Sequence, residues 1–88
     1  MIGEYEKYPV YPKGTIVNLR DIIDITDGTV CTIKAIEQDE EDPSLKFYFL
    51  YANNEEKNDK FDPIVGRYFE YVEHCSPRLI VLSQPTAY

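Results

Sequence analysis

The segment Lys46-Phe-Tyr-Phe-Leu-Tyr-Ala52 constrains this chain more than any other, because it is apolar on both faces. Successive side chains of a strand point to opposite sides, so a strand of this composition needs cover on each side and belongs at the centre of a sheet. Thr29-Val-Cys-Thr-Ile-Lys-Ala-Ile36 supplies a neighbour. It is rich in β-branched residues, and Cys31, Ile33 and Ala35 share one face. The dipeptide Asp27-Gly28 just before it favours a turn.

Two further segments read as strands. Thr15 to Leu19 alternates, with Val17 and Leu19 on one side, and Leu79 to Leu82 is a short apolar run behind the Ser76-Pro77 turn. Four strands at 15–19, 29–36, 46–52 and 79–82 predict a mainly β fold, either a small five-stranded barrel or a strongly curved antiparallel sheet. Val17, Leu19, Ile33, Phe47, Phe49, Val72, Leu79 and Val81 are the expected core. Residues 63–75 satisfy two patterns. As a helix, Asp62 caps the segment, Pro63 starts it, and Ile64, Tyr68 and Val72 line one side. As a strand, Gly66 and the aromatic run Tyr68-Phe69 with Tyr71 suit a sheet, and Gly66 costs a helix about 1 kcal/mol relative to Ala. An α+β fold with a short helix at 63–75 therefore stays open as the alternative.

Eighty-eight residues make one domain with a thin core. That domain is expected over 15–83. Before it, residues 1–14 read as an extended arm: Pro9 and Pro12 disfavour helix, and Tyr5, Tyr8 and Tyr11 recur at the polyproline period. Residues 84–88 are a tail. Residues 37–43 carry five carboxylates and read as a solvated hairpin tip, and 53–62 as a polar, turn-rich loop.

Two stretches, KGTIVNLRD with DGTVCTIKAI (13–36) and YVEHCSPRLIVL (71–82), give the chain a resemblance to the SH3-like small barrels, the superfamily that includes SH3, Tudor and KOW-type domains. The first resembles the opening strand, long loop and second strand of such barrels. The second resembles their Pro-containing turn before a final apolar strand. The resemblance implies an architecture and transfers no site residue. The chain has no Trp to serve a peptide groove of the SH3 kind, and it lacks the basic charge of KOW-type domains.

The net charge of −7 repels a phosphate backbone and disfavours direct nucleic-acid binding. It favours a basic protein partner. No apolar run reaches the ~18–20 residues of a membrane span, and Met1 to Glu6 is too polar and acidic for a secretory signal. A cytoplasmic location is expected, with Cys31 and Cys75 as reduced core thiols.

Nothing in the chain reads as an active site. His74, the single histidine, adjoins Cys75, but with Cys31 this gives three soft ligands without zinc spacing. The expectation is a surface His74, a buried Cys75, no metal and no cofactor. Asp21, Asp24 and Asp27 lack the alternate spacing of a calcium loop. No phosphate loop or nucleophile elbow is present, so the chain is not expected to be an enzyme.

What remains is a non-catalytic interaction module: a small accessory or inhibitory protein, of bacterial or phage type by composition, that binds a basic surface or peptide. The candidate contact residues are Asp21, Asp24 and Asp27 on the loop bordering the barrel's groove, Tyr8 and Tyr11 on the arm, and Glu40 and Glu41 at the hairpin tip. Carboxylates and tyrosine rings together suit Arg or Lys side chains. Two alternatives stand beside this: a self-assembling homo-oligomer that uses the arm and the LIVL strand as contacts, and a nucleic-acid mimic.

Overall fold

The computed structural model of the chain describes residues 3–20, 28–58, 60–62 and 66–85. Its strands are β1 (Ile16–Arg20), β2 (Gly28–Gln38), β3 (Lys46–Ala52), β4 (Lys60–Asp62), β5 (Gly66–Tyr68), β6 (Glu70–Glu73) and β7 (Leu79–Ser83), with a 3₁₀ turn at Glu55–Lys57. The doubly apolar segment is β3, and it lies between β2 and β6. The whole sheet runs β6-β3-β2-β1-β7, with every pairing antiparallel. The last strand thus returns beside the first. The fold is mainly β. β6 and β7 do not pair, so the sheet stays open rather than closing into a barrel. Ladder irregularities at Ile33/Ala35 and at Ile16/Val17 mark bulges, which bend and twist a sheet locally. Among the described residues, no helix is long and apolar enough to cross a membrane.

Strand alternation sorts the core. Val17 and Leu19 of β1, Cys31 and Ile33 of β2, Tyr48, Leu50 and Ala52 of β3 and Val72 of β6 form one buried cluster. Phe49 is buried as well, but it sits between Tyr48 and Leu50 and so lies on the opposite face of β3, outside that cluster. Leu79 and Val81 pack against the cluster only half-buried, because β7 is an edge strand, and Phe47 is half-buried too. Burial of one whole face of β3 therefore falls to Tyr48 and Leu50, and Phe47 and Phe49 form something separate.

Where it is described, segment 63–75 is two short strands, β5 and β6, joined by a bend at Phe69 and followed by a turn at His74–Cys75. Gly66 has φ 83°, a left-handed conformation that a right-handed helix cannot accommodate, and it begins β5, paired with β4. Phe69 then donates its N–H to Leu50 C=O, which leads the chain into β6 on the edge of β3. One turn further on, the expected positions of His74 and Cys75 are exchanged. Val72 faces in and Glu73 out, so His74 follows inward and is buried, and Cys75 is left half-exposed. The polar His74 ring is tolerated inside because Lys46 N–H donates to its Nδ1 at 3.0 Å.

The first residues coil rather than extend. Glu6 N–H reaches Gly3 C=O and Tyr8 N–H reaches Tyr5 C=O, so 3–8 are turns and not a polyproline spiral. This segment is fastened to the β2–β3 hairpin: Asp42 Oδ1 accepts from Gly3 N–H at 3.1 Å, and Ser44 Oγ accepts from Tyr5 N–H at 3.3 Å. Further along, Tyr11 N–H donates to the buried Tyr48 hydroxyl at 2.8 Å. The hairpin tip is less solvated than its charge suggests. Asp39 accepts from the N–H groups of Glu41 and Asp42, and Asp42 also accepts from Ser44 N–H and Oγ–H. The bonds that Asp42 accepts, first from the Ser44 hydroxyl and then from the Gly3 and Ser44 N–H groups, hold its carboxyl below its ordinary value. Asp39 and Asp42 are thereby half-buried, while Glu40 and Glu41 stay exposed.

Candidate functional site

The face of the sheet opposite the core is aromatic where β3 meets β6. Phe47, Phe49 and Tyr51 share it by alternation along β3, and Tyr71 lies opposite Phe49 on β6. The Phe47 and Tyr71 rings stack, with centroids 5.0 Å apart and planes 14° apart. Phe49 lies 4.6 Å from Tyr71 and meets Tyr68 of β5 edge-on at 5.8 Å. These offset and edge contacts are the geometries that aromatic quadrupoles favour. Phe49 is thereby buried by other rings, while Tyr71 at the outside of the stack is 43% exposed.

Carboxylates border this platform. Glu37 and Glu73 are the cross-strand partners of Phe47 on its two sides, and both are exposed. The Tyr71 phenol is raised above its ordinary value, first by burial and then by the negative charge of Glu37 and Asp39. The field at the ring is therefore negative. Beyond Tyr71, a cleft of about 570 Å³ runs along Val72 and Glu73 to the turn at Cys75–Arg78. A cation already rests on a neighbouring ring of the same face: Lys34 Nζ stands 5.5 Å from the centroid of Tyr51. An electron-rich ring face with flanking carboxylates attracts guanidinium and ammonium groups by cation–π and charge-assisted contacts.

The residues expected to meet a partner fall elsewhere. Asp21, Asp24 and Asp27 lie outside the described residues. The residues flanking that loop line a small pocket with a cationic border, made by Arg20, Lys57 and Arg78 around Gly28 and Thr29. Tyr8 and Tyr11 share a different cleft, beside β7. Tyr11 packs onto the core, and Tyr8, 39% exposed, sets its ring edge-on to His74. Glu40 and Glu41 stand at the hairpin tip. Tyr71 and Glu73 were not among the expected contacts, Phe47 was expected in the core and Glu37 only as part of the acidic tip, although the alternation of Phe47, Phe49 and Tyr51 marks a second, aromatic face on β3. Among the described residues, no three His, Cys, Asp or Glu side chains group as metal ligands would.

The chain matches no known family model, no curated protein and no solved structure.

Proposed function

We propose that this chain is a non-catalytic protein-interaction module whose aromatic, acid-bordered face on β3 and β6 holds an Arg- or Lys-bearing segment of a basic partner. The observation that carries the reading is Tyr71, exposed and stacked on Phe47, the ring whose two cross-strand partners are Glu37 and Glu73. Burial of the inner rings makes the platform rigid, so little conformational entropy is lost on binding. The strand order, with the last strand beside the first and a Pro77 turn before it, supports the resemblance to small SH3-like barrels as an architecture. Two free cysteines, one of them fully buried, suit a reducing cytoplasm. A small accessory or inhibitory protein is the role these features fit.

The test is a titration with a short capped Arg-containing peptide, and with its Glu counterpart, followed through amide and aromatic NMR signals. The Arg peptide should shift residues 37, 47, 71 and 73, weaken as salt rises, and lose most of its affinity with Tyr71→Ala or Glu37→Gln/Glu73→Gln. Shifts confined to Glu40 and Glu41, or equal effects of the Glu peptide, sink the reading.

A further inference from the structure

The two edges of the sheet are not alike. β6 carries Glu70 and Glu73 at its ends, and charges on an edge discourage a second chain from adding to it. β7 reads Leu-Ile-Val-Leu-Ser, with no charge over its whole length. Its inner side is satisfied by β1. Arg20 N–H donates to Arg78 C=O at 2.9 Å, and antiparallel ladders alternate, so Ile80 turns its backbone groups to Asn18. The N–H and C=O of Val81 therefore face away from β1, and no described strand takes them. On either side of Val81 stand two exposed apolar side chains, Ile80 at 38% and Leu82 at 52%.

The N-terminal arm does not cover this edge. A cleft of about 290 Å³ separates Leu79–Val81 from Tyr8, Pro9 and His74. The buried His74 ring lines that cleft. Its Nδ1 lies 3.0 Å from Lys46 N and 3.3 Å from Lys46 C=O, and among the described residues its Nε2 has no hydrogen-bond partner. Free space, an unpartnered ring nitrogen and a ladder edge that no described strand pairs thus adjoin one another.

We infer that β7 is a self-pairing edge, through which two copies of the chain join by antiparallel β7–β7 contact about a two-fold axis at Val81. The sequence is self-complementary in that register. Val81 exchanges both backbone bonds with Val81 of the second copy. Ile80 of each then lies opposite Leu82 of the other, as a close apolar cross-strand pair. A two-fold contact of this kind uses the same patch twice and closes on itself, so it gives a dimer and no fibre. The register steps from Val17↔Val81 to Ile16↔Ser83, so Leu82 is the extra residue of a bulge on β7, and that bulge ends the regular ladder at Leu82 and keeps it short. Both copies carry −7, and the residual repulsion falls off beyond ~8 Å at physiological salt. Raising salt should therefore strengthen the dimer, the opposite of its effect on a basic partner at the Tyr71 face.

Sedimentation and light scattering on the full chain, up to about 1 mM and over a salt series, test the dimer. The expected result is a monomer–dimer equilibrium that shifts to dimer with salt. Leu82→Lys and Ile80→Lys, each at an exposed site, should weaken it about tenfold or more by setting charge against apolar surface, with the amide spectrum of the fold retained. In a half-labelled mixture, contacts between Ile80 and Leu82 of different copies should be visible by isotope-filtered NMR. A chain that stays monomeric throughout, or a dimer that neither substitution weakens, or one without those contacts, overturns the inference.

Discussion

Asn58 stands in for a strand partner of Ala52. Its Oδ1 accepts from Ala52 N–H at 2.8 Å and its Nδ2 donates to Ala52 C=O at 2.5 Å, with the whole side chain buried. A primary amide is the side chain that offers donor and acceptor in the geometry of a peptide group. It ends β3 without leaving the last backbone groups unpaired. The 3₁₀ turn at Glu55–Lys57, capped by Asn54 Oδ1 on Glu56 N–H, delivers it there. Asn58→Ala leaves two buried backbone groups without partners, each worth about 1–3 kcal/mol. The midpoint of thermal unfolding should fall by on the order of 10 °C, given that 1 kcal/mol moves a domain of this size by about 4–8 °C. An unchanged midpoint would show that water replaces the amide without penalty.

This contact also marks where the sequence stopped being legible. The polar run at 53–62 was readable as a loop only in part: Asn, Asp and Lys cannot form a core, yet Lys60–Asp62 forms the short strand β4 against β5. Which of its amides turns inward depends on a six-residue closure that no periodicity encodes. Strands β1 and β2 were legible because one face of each is apolar at period two, and β3 and β7 because each is a short continuous apolar run bounded by polar or turn residues. Segment 63–75 was not, since Gly66 fits a helix poorly and a strand only with its left-handed φ. His74 and Cys75 were exchanged for a related reason: alternation continues one residue past β6, and ordinary burial preferences favour the thiol. At the candidate site, Phe47 and Phe49 were assigned to the core because aromatic burial looks the same in sequence whether the cover is a second layer or other rings.

Tyr48 is the next residue whose chemistry can be checked. Its hydroxyl is buried and accepts from Tyr11 N–H, and burial raises its ionisation above the ordinary 10.0, outweighing the opposing effect of that bond. The folded state therefore favours the neutral phenol. The stability this contributes is present in full below the unfolded value, near 10, and is lost as pH climbs through the folded one. Circular dichroism and phenolate absorbance followed together should show one tyrosine ionising with unfolding. Tyr48→Phe should be less stable at neutral pH by about 1–2 kcal/mol, having orphaned Tyr11 N–H, yet it should unfold at higher alkaline pH than the parent. A phenolate step that precedes unfolding contradicts this account of Tyr48.

Truncation separates the two faces of β3. Leu50→Ala opens the fully buried cluster and should cost about 2–5 kcal/mol, a large share of the ~5–15 kcal/mol of a small domain. Phe49→Ala removes the ring beneath Tyr71 and should cost about 3–5 kcal/mol while also freeing Tyr71 to reorient. The variants differ in the near-ultraviolet tyrosine signal measured below each midpoint, which should change with Phe49→Ala and persist with Leu50→Ala. Identical near-ultraviolet behaviour would mean that Phe49 belongs to the main core after all.

The two cysteines should differ in reactivity for reasons that are purely local. Burial pushes the Cys31 thiol up to about 11, and it lies wholly inside the cluster. At about pH 8 roughly one molecule in a thousand would carry the thiolate, and that thiolate has no access to reagent. Cys75 is also raised, by partial burial and then by Glu73, whose carboxylate lies 3.7 Å from its sulfur, but it is half-exposed. A disulfide reagent should therefore modify one thiol of the native chain slowly, faster as pH rises toward 9, and the second only in denaturant. Cys75→Ser should abolish the native reaction, and Cys31→Ser should leave it intact. Modification of both thiols at one rate in the folded chain would place Cys31 outside the core, and with it the register of β2 on β3.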